Sequence, residues 1–309
     1  MNSNNSGIKR RQFLQALGLL GVAAGGLPLP ALGSVQRVSK AIPATGERIP
    51  VIGMGSSRTF DVGDDSEVRA RLSKVLQAFF DQGSGLIDTS PMYGNSESVL
   101  GELLQQIGNK KSLFTATKVW TEGRQEGIEQ MLASMHLLRV PVIDLMQIHN
   151  LLDWRVHMET LIDWKKQGKI RYIGITTHRG YDHDELLYVM ENHPVDFVQF
   201  SYSIANLKAE QRLLPLAAKR GIATIVNRPF QRGDLFQQVR DRELPDWAAE
   251  FDCQSWGQFF LKFVVSHPAV TCAIPATSKV HHMLDNMGAG VGRMPDQKQR
   301  QRMLEFFNS

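Results

Sequence analysis

The sequence predicts an α/β chain folded as a closed (β/α)8 TIM barrel. Three observations carry that expectation. Short β-rich runs alternate with helix-periodic segments eight times from residue 50 onward. The 309 residues leave room for the roughly 250 that such a barrel needs, together with a leader. No GxGxxG follows any strand, so the usual fingerprint of an open dinucleotide-binding sheet is missing.

Taken in order, the first 33 residues read as a leader and 34–309 as the barrel. Lys9, Arg10 and Arg11 precede Phe13-Leu14 and a glycine-rich apolar run, and small residues at Ala31-Leu32-Gly33 suit a signal peptidase. The pattern resembles the twin-arginine (Tat) signal of bacteria, with cleavage expected after Gly33. It implies the Tat export machinery as a partner and a periplasmic or exported destination for a folded protein. Removing the leader's three positive charges takes the net charge from +4 to +1. The pI near 9.1 is therefore partly a property of the leader, and no electrostatic footprint for nucleic acid remains. No internal stretch is apolar for long enough to span a bilayer.

Residues 37–49 are expected to form a hairpin on the barrel floor, and Val51-Ile-Gly-Met-Gly the first barrel strand. A helix follows over 66–82, because Val68, Leu72, Val75, Leu76 and Phe79 recur at three and four, and Gly83 ends it. Further strands are read at 86–88, 113–119, 144–149, 170–176, 197–202, 223–227 and 271–274. Helices lie between and after them near 97–108, 126–138, 156–167, 182–192, 209–220, 256–266 and 279–287, with an extra C-terminal helix at 296–307. Residues 230–255 lack periodicity and form either a lid over the barrel mouth or an inert insertion. With 42% hydrophobic residues the chain can fill such a core. Cys253 and Cys272 are expected as two buried free thiols, a single bridge in an oxidising compartment being the alternative.

Catalytic groups in barrels sit at the C-terminal ends of strands. Those ends carry Asp88 and Tyr93 after the second strand, Lys118 on the third and His149 on the fourth. All four residue types serve proton transfer. The segments Leu86-Ile-Asp-Thr-Ser-Pro-Met-Tyr-Gly-Asn-Ser-Glu-Ser-Val-Leu-Gly, Thr117-Lys118-Val119 and Asp144-Leu-Met-Gln-Ile-His149-Asn resemble the aldo-keto reductases, over about residues 48 to 290.

The resemblance implies an NAD(P)H-dependent oxidoreductase that reduces an aldehyde or ketone to an alcohol. Tyr93 would donate the proton, Lys118 held by Asp88 would lower the Tyr93 pKa, and His149 would orient the substrate carbonyl. Thr176, Thr177 and Gln199 would grip the carboxamide. Asn227 stands where many members stack a tyrosine on the nicotinamide. Arg228 and Arg232 are either pyrophosphate contacts or solvated surface. Thr277, Ser278 and Lys279 open a helix whose amides can hold an anion. His282 and Asn286 follow on that helix, as further contacts of NADP(H), or of NAD(H) as the alternative. Trp120 and Trp154 either line the substrate pocket or pack ordinarily. His281-His282 is rejected as a metal pair, since adjacent helical residues diverge by about 100°, and no metal is expected. A different reading is an idle cofactor-binding barrel serving as a sensor or subunit; a third is a redox-neutral enzyme with a non-dissociating cofactor.

Overall fold

Hydrophobic periodicity and parallel pairing together build the expected barrel. The computed structural model describes residues 37–108, 111–177 and 183–309. The leader expected over residues 1–33 and Asp182, where the 182–192 helix was expected to begin, lie outside them. The described chain opens with an antiparallel hairpin, β1 (Ser39–Ala41) and β2 (Arg48–Pro50). Barrel strands then alternate with helices: β3 (Met54–Gly55), α1 (Ser66–Asp81), β4 (Leu86–Asp88), α2 (Ser96–Ile107), β5 (Phe114–Val119), α3 (Arg124–Leu138), β6 (Ile143–His149) and α4 (Trp154–Lys166). The second half holds β7 (Ile170–Thr176), α5 (His183–Asn192), β8 (Phe197–Ser201), α6 (Lys208–Gln211), α7 (Leu213–Arg220), β9 (Ala223–Asn227), α8 (Asp234–Gln238), α9 (Trp256–Val265), β10 (Cys272–Ala273), α10 (Val280–Gly288) and α11 (Gln297–Asn308).

The eight strands β3 to β10 pair in sequence order, all parallel. A parallel bridge between Ile52 and Ala273 joins first to last and closes the barrel. The first and last strands are shorter than their sequence patterns, because closure involves single bridges there rather than long ladders. The helix expected over 209–220 is two, interrupted at Arg212 (φ −138°, ψ −46°). The first helix matches closely: Asp65 caps its N-terminus by accepting from the Glu67 and Val68 amides, and Leu72, Val75, Leu76 and Phe79 are buried.

Inward positions alternate along each strand, and they change character with height. Leu86, Phe114, Leu145, Tyr172 and Phe197 form the lower barrel interior with Ile42 and Ile49 of the hairpin, which plugs the floor. The plug is tied down by polar contacts as well. Lys40 Nζ donates to the carbonyls of Val265, His267 and Val270 at 2.9, 2.7 and 2.6 Å. Above this apolar plug, the same faces of the strands turn polar at Asp88, Lys118, Gln147 and Gln199, all buried. The larger apolar core lies outside the barrel, between strands and helices.

Residues 230–255, expected as a lid or an inert insertion, hold short helical turns packed on the main core. Two 3-10 turns (Gln231–Gly233 and Asp246–Phe251) flank α8, and Leu235, Val239, Ala248 and Phe251 enter the main core. Arg242 bonds the Phe307 carbonyl at 3.0 Å and accepts from Trp256 Nε1 through its own carbonyl at 3.0 Å. Both cysteines are free and buried, and burial pushes the Cys253 thiol up to about 11 and the Cys272 thiol to about 12. No helix among the described residues is long and apolar enough to cross a membrane.

The plug makes a stability prediction. Ile42→Ala removes a fully buried side chain from the interior cluster and should cost about 2–5 kcal/mol, read from urea unfolding monitored by circular dichroism. A loss below about 1 kcal/mol, less than such truncations cost, would show that the hairpin is not part of the core.

Candidate active site

The polar layer of the barrel contains a charge with nowhere to go but a neighbour. Lys118 projects inward from β5 and is fully buried. Its ammonium donates to Asp88 Oδ2 at 2.7 Å and to the Thr89 carbonyl at 2.6 Å, both on or just beyond the adjacent strand β4. An unpaired ammonium at this depth would be unstable; with Asp88 and Tyr93 beside it, attraction outweighs burial and Lys118 is held above its ordinary pKa.

Tyr93 reaches this pair from the loop after β4. Lys118 Nζ lies 5.1 Å from the centre of its ring. The loop is a tight turn: the Tyr93 amide donates to the Ser90 carbonyl at 3.0 Å, and Gly94 follows at φ +56°. That backbone conformation favours glycine, and a side chain there would also displace the Asp61 carboxylate, which lies 2.2 Å from the Cβ position. Asp61 also accepts from the Asn95 amide at 2.9 Å, which pins the turn.

The expected depression of the Tyr93 pKa is not what the structure gives. Lys118 and Arg228 do pull it down, but desolvation at the barrel mouth is the larger effect and Asp88 adds to it, so the phenol is raised. Lys118 is the partner the spacing predicts, but burial, which one-dimensional spacing does not report, outweighs it. Arg228 is half-buried at φ +51°, and its charge reaches Tyr93, a role not foreseen from the sequence.

His149 ends β6 with its ring edge-on to Tyr93, the centroids 6.1 Å apart. Ser90 Oγ and His149 Nδ1 are hydrogen-bonded at 3.1 Å, which fixes the ring. Trp120 stands 6.3 Å from His149 and is 40% exposed, beside the acid–base cluster. Met92, 42% exposed, follows Ser90 on the same loop as Tyr93. Trp154 is elsewhere. It belongs to the outer helix layer, where Nε1 donates to Glu185 Oε1 at 2.7 Å and the ring packs edge-on to His193 at 4.7 Å. The pocket reading of Trp154 is corrected accordingly: α4 begins there and buries it against α5.

The second arc of the polar layer runs through β7, β8 and β9. Gln199 Nε2 donates to Asp88 Oδ1 at 2.9 Å, and its Oε1 accepts from Thr176 Oγ1 at 3.4 Å and Asn227 Nδ2 at 3.3 Å. Asn227 also donates to the Thr177 carbonyl at 3.1 Å and accepts from Ser201 Oγ at 2.6 Å. Asn227 is thus a polar brace between β8 and β9 and the chain after β7. Beyond β10, the Lys279 amide donates to Thr277 Oγ1 at 3.1 Å, and no side chain caps the N-terminus of α10. Lys279, His281 and His282 are exposed there and Ser278 is half-exposed. Partial burial and the neighbouring His281 and Lys279 lower the pKa of His282. Asn286 is buried on the inner side of α10 with Met283 and Met287, and Arg232 is exposed.

Two buried groups escaped the sequence reading. Gln147 donates to Asp88 Oδ1 at 2.9 Å; its position two residues before His149, on the same inward face, was the available signal. Glu97 on α2 accepts from Thr117 at 2.5 Å and Ser134 at 3.0 Å behind the strand that carries Lys118, and burial raises its pKa.

These observations fit a dinucleotide cofactor. The uncapped amides of α10 beside Thr277, Ser278 and Lys279 suit an anionic group. Thr176, Gln199 and Asn227 offer the donors and acceptors that a carboxamide needs, next to the acid–base arc.

Comparisons with known proteins agree with this geometry. The aldo/keto reductase family model matches residues 51–302. Methylglyoxal reductase YeaE of Escherichia coli is 28% identical over 247 residues, which cover 77% of this chain and 84% of that protein. Glyoxal reductase of Bacillus subtilis is 28% identical over 252 residues, 78% of this chain and 83% of that protein. An aldo-keto reductase structure from Klebsiella pneumoniae in complex with NADPH matches with a TM-score of 0.71 at 21% identity, covering 87% of this chain and 95% of that one.

The buried pair can be tested by charge balance. Asp88→Asn strands the Lys118 ammonium and should cost about 3–5 kcal/mol in urea unfolding. Adding Lys118→Met to that variant should restore most of the loss. A double variant no more stable than Asp88→Asn would show that the pair is not the source of the cost.

Proposed function

The chain belongs to the aldo/keto reductase family and is an NAD(P)-dependent oxidoreductase, and from that premise we propose that it reduces a small aldehyde or ketone with Tyr93 as the proton donor. The observation that carries this reading is the convergence of Tyr93, Lys118, Asp88 and His149 at the C-terminal ends of three neighbouring strands.

The chemistry follows from what each group does. A phenol is already protonated at neutral pH and burial pushes the Tyr93 pKa further up, so the acid is loaded before substrate arrives. As the proton leaves, the Lys118 ammonium beside it stabilises the developing phenolate, and Asp88 keeps that ammonium in place. His149, oriented by Ser90, hydrogen-bonds the carbonyl oxygen and aims it at Tyr93. Trp120 and Met92 frame an apolar mouth that receives the substrate's carbon skeleton. A bound nicotinamide supplies the hydride. Thr176, Thr177, Gln199 and Asn227 would hold its carboxamide, Arg228 and the α10 amides its phosphates, and Lys279 the additional phosphate of NADP.

The relatives named methylglyoxal and glyoxal reductases support short oxoaldehydes as the first substrates to try. The twin arginines at 10 and 11 and the apolar run after them support export in the folded state. A filled set of proton-transfer groups favours an active enzyme over an idle barrel.

Two outcomes are expected. Tyr93→Phe should cut NADPH-dependent methylglyoxal reduction roughly 10²- to 10⁴-fold while quenching of tryptophan fluorescence by NADPH stays unchanged; comparable turnover would remove Tyr93 as the acid. Replacing Arg10 and Arg11 together by Lys should retain the full-length chain in the cytoplasmic fraction, whereas undiminished periplasmic protein would refute the export reading.

A further inference from the structure

Asp88 has two carboxylate oxygens, and each has a different task. Oδ2 takes the Lys118 ammonium at 2.7 Å. Oδ1 takes two side-chain amides at 2.9 Å each, from Gln147 on β6 and Gln199 on β8. The two amides also bond each other, Gln199 Nε2 to Gln147 Oε1 at 3.2 Å. Gln199 in turn accepts from Thr176 and Asn227. The donors run in one direction, from Thr176 and Asn227 through Gln199 to Asp88, with Gln147 bracing both Gln199 and Asp88.

Gln147 is held in this place by packing. It is fully buried. A Cβ on Gly174, its register partner on β7, would fall 2.7 Å from Gln147 Cγ, so the neighbouring strand lacks a side chain where Gln147 lies. A long polar side chain with its own cavity in the strand next door is a fixed part of the site, not a solvated accident.

We propose that Gln147 is a positioning residue that sets the Asp88 carboxylate toward Lys118 and, through Gln199, links the carboxamide end of the site to the proton end. The proposal rests on the reductase reading for its functional meaning. Its physical content does not. Any ligand group that draws Gln199 away leaves Gln147 as the remaining amide on Asp88 Oδ1, so the carboxylate keeps its orientation while Gln199 changes partners. The groups facing Tyr93 are Asp88 from β4, Lys118 from β5, His149 from β6 and Arg228 after β9. Asp88 is the one whose negative charge opposes phenolate formation, and the Gln147 amide dipole partly offsets it.

The test uses Gln147→Met, which keeps the volume over Gly174 and removes the amide. Tyr93 is titrated in the cofactor-free protein by NMR of 13Cζ-labelled tyrosine, with Tyr93→Phe assigning the signal. The Tyr93 midpoint should move upward by about half a pH unit or more as Asp88 loses a donor. The kcat for methylglyoxal should fall roughly 10- to 100-fold, with KM changed less. An unchanged midpoint overturns the proposal, whatever happens to thermal stability. Should Gln147→Met not fold, Gln147→Glu decides, since a second carboxyl beside Asp88 should raise the midpoint further and an unchanged value again refutes the role. If wild-type protein neither binds NADPH nor reduces a carbonyl, the reductase reading fails while the titration still judges Gln147.

Discussion

A single buried ammonium organises the upper half of this barrel. Lys118 is inside because β5 alternates, and the strand's other inward residues, Phe114 and Ala116, belong to the apolar interior. Leaving the charge unpaired would cost several kcal/mol, so the surrounding strands supply partners: Asp88 and the Thr89 carbonyl directly, then Gln147 and Gln199 to complete Asp88. Tyr93 shares the same environment, and its chemistry follows from it. The polar layer is thus a consequence of one charge and the satisfaction of its neighbours.

The barrel divides vertically for the same reason. Below, large apolar side chains and the hairpin plug exclude water, which makes the layer above a place where electrostatic effects are strong. Around the circumference it divides again. The strands β4 to β6 and the loop after β4 carry the ionisable groups Asp88, Tyr93, Lys118 and His149, and β7 to β9 carry neutral amides and hydroxyls. Parallel, sequential pairing puts these arcs edge to edge, with Gln147 and Gln199 at the seam. Asn227 belongs to this neutral arc, where it is braced on Ser201, Thr177 and Gln199.

Tyr93 shows what can be misread along a chain. The sequence motif names Lys118 as its neighbour, and attraction to a cation lowers a phenol's pKa. Burial acts in the opposite direction and wins. Trp154 is a similar case: two tryptophans follow successive barrel strands, yet Trp120 faces the mouth and Trp154 begins a helix whose inner side it fills. Arg228 was legible as a basic residue after the seventh barrel strand, but that its charge reaches Tyr93 is a distance across the barrel mouth that composition does not announce.

Local pattern alone determined most elements of the fold. Apolar spacing of three and four marked α1, alternation and β-branched runs marked the strands, and the order of strands followed because parallel neighbours are joined by helices. The residues proposed for proton transfer were legible as candidates too, since they fall at successive strand ends. Tertiary structure decided what depends on distances across the barrel: the closing bridge between Ile52 and Ala273, the shared grip of Gln147 and Gln199 on Asp88, and the sign of the Tyr93 shift. Those are sums over neighbours far apart in the chain, and desolvation has no one-dimensional signature.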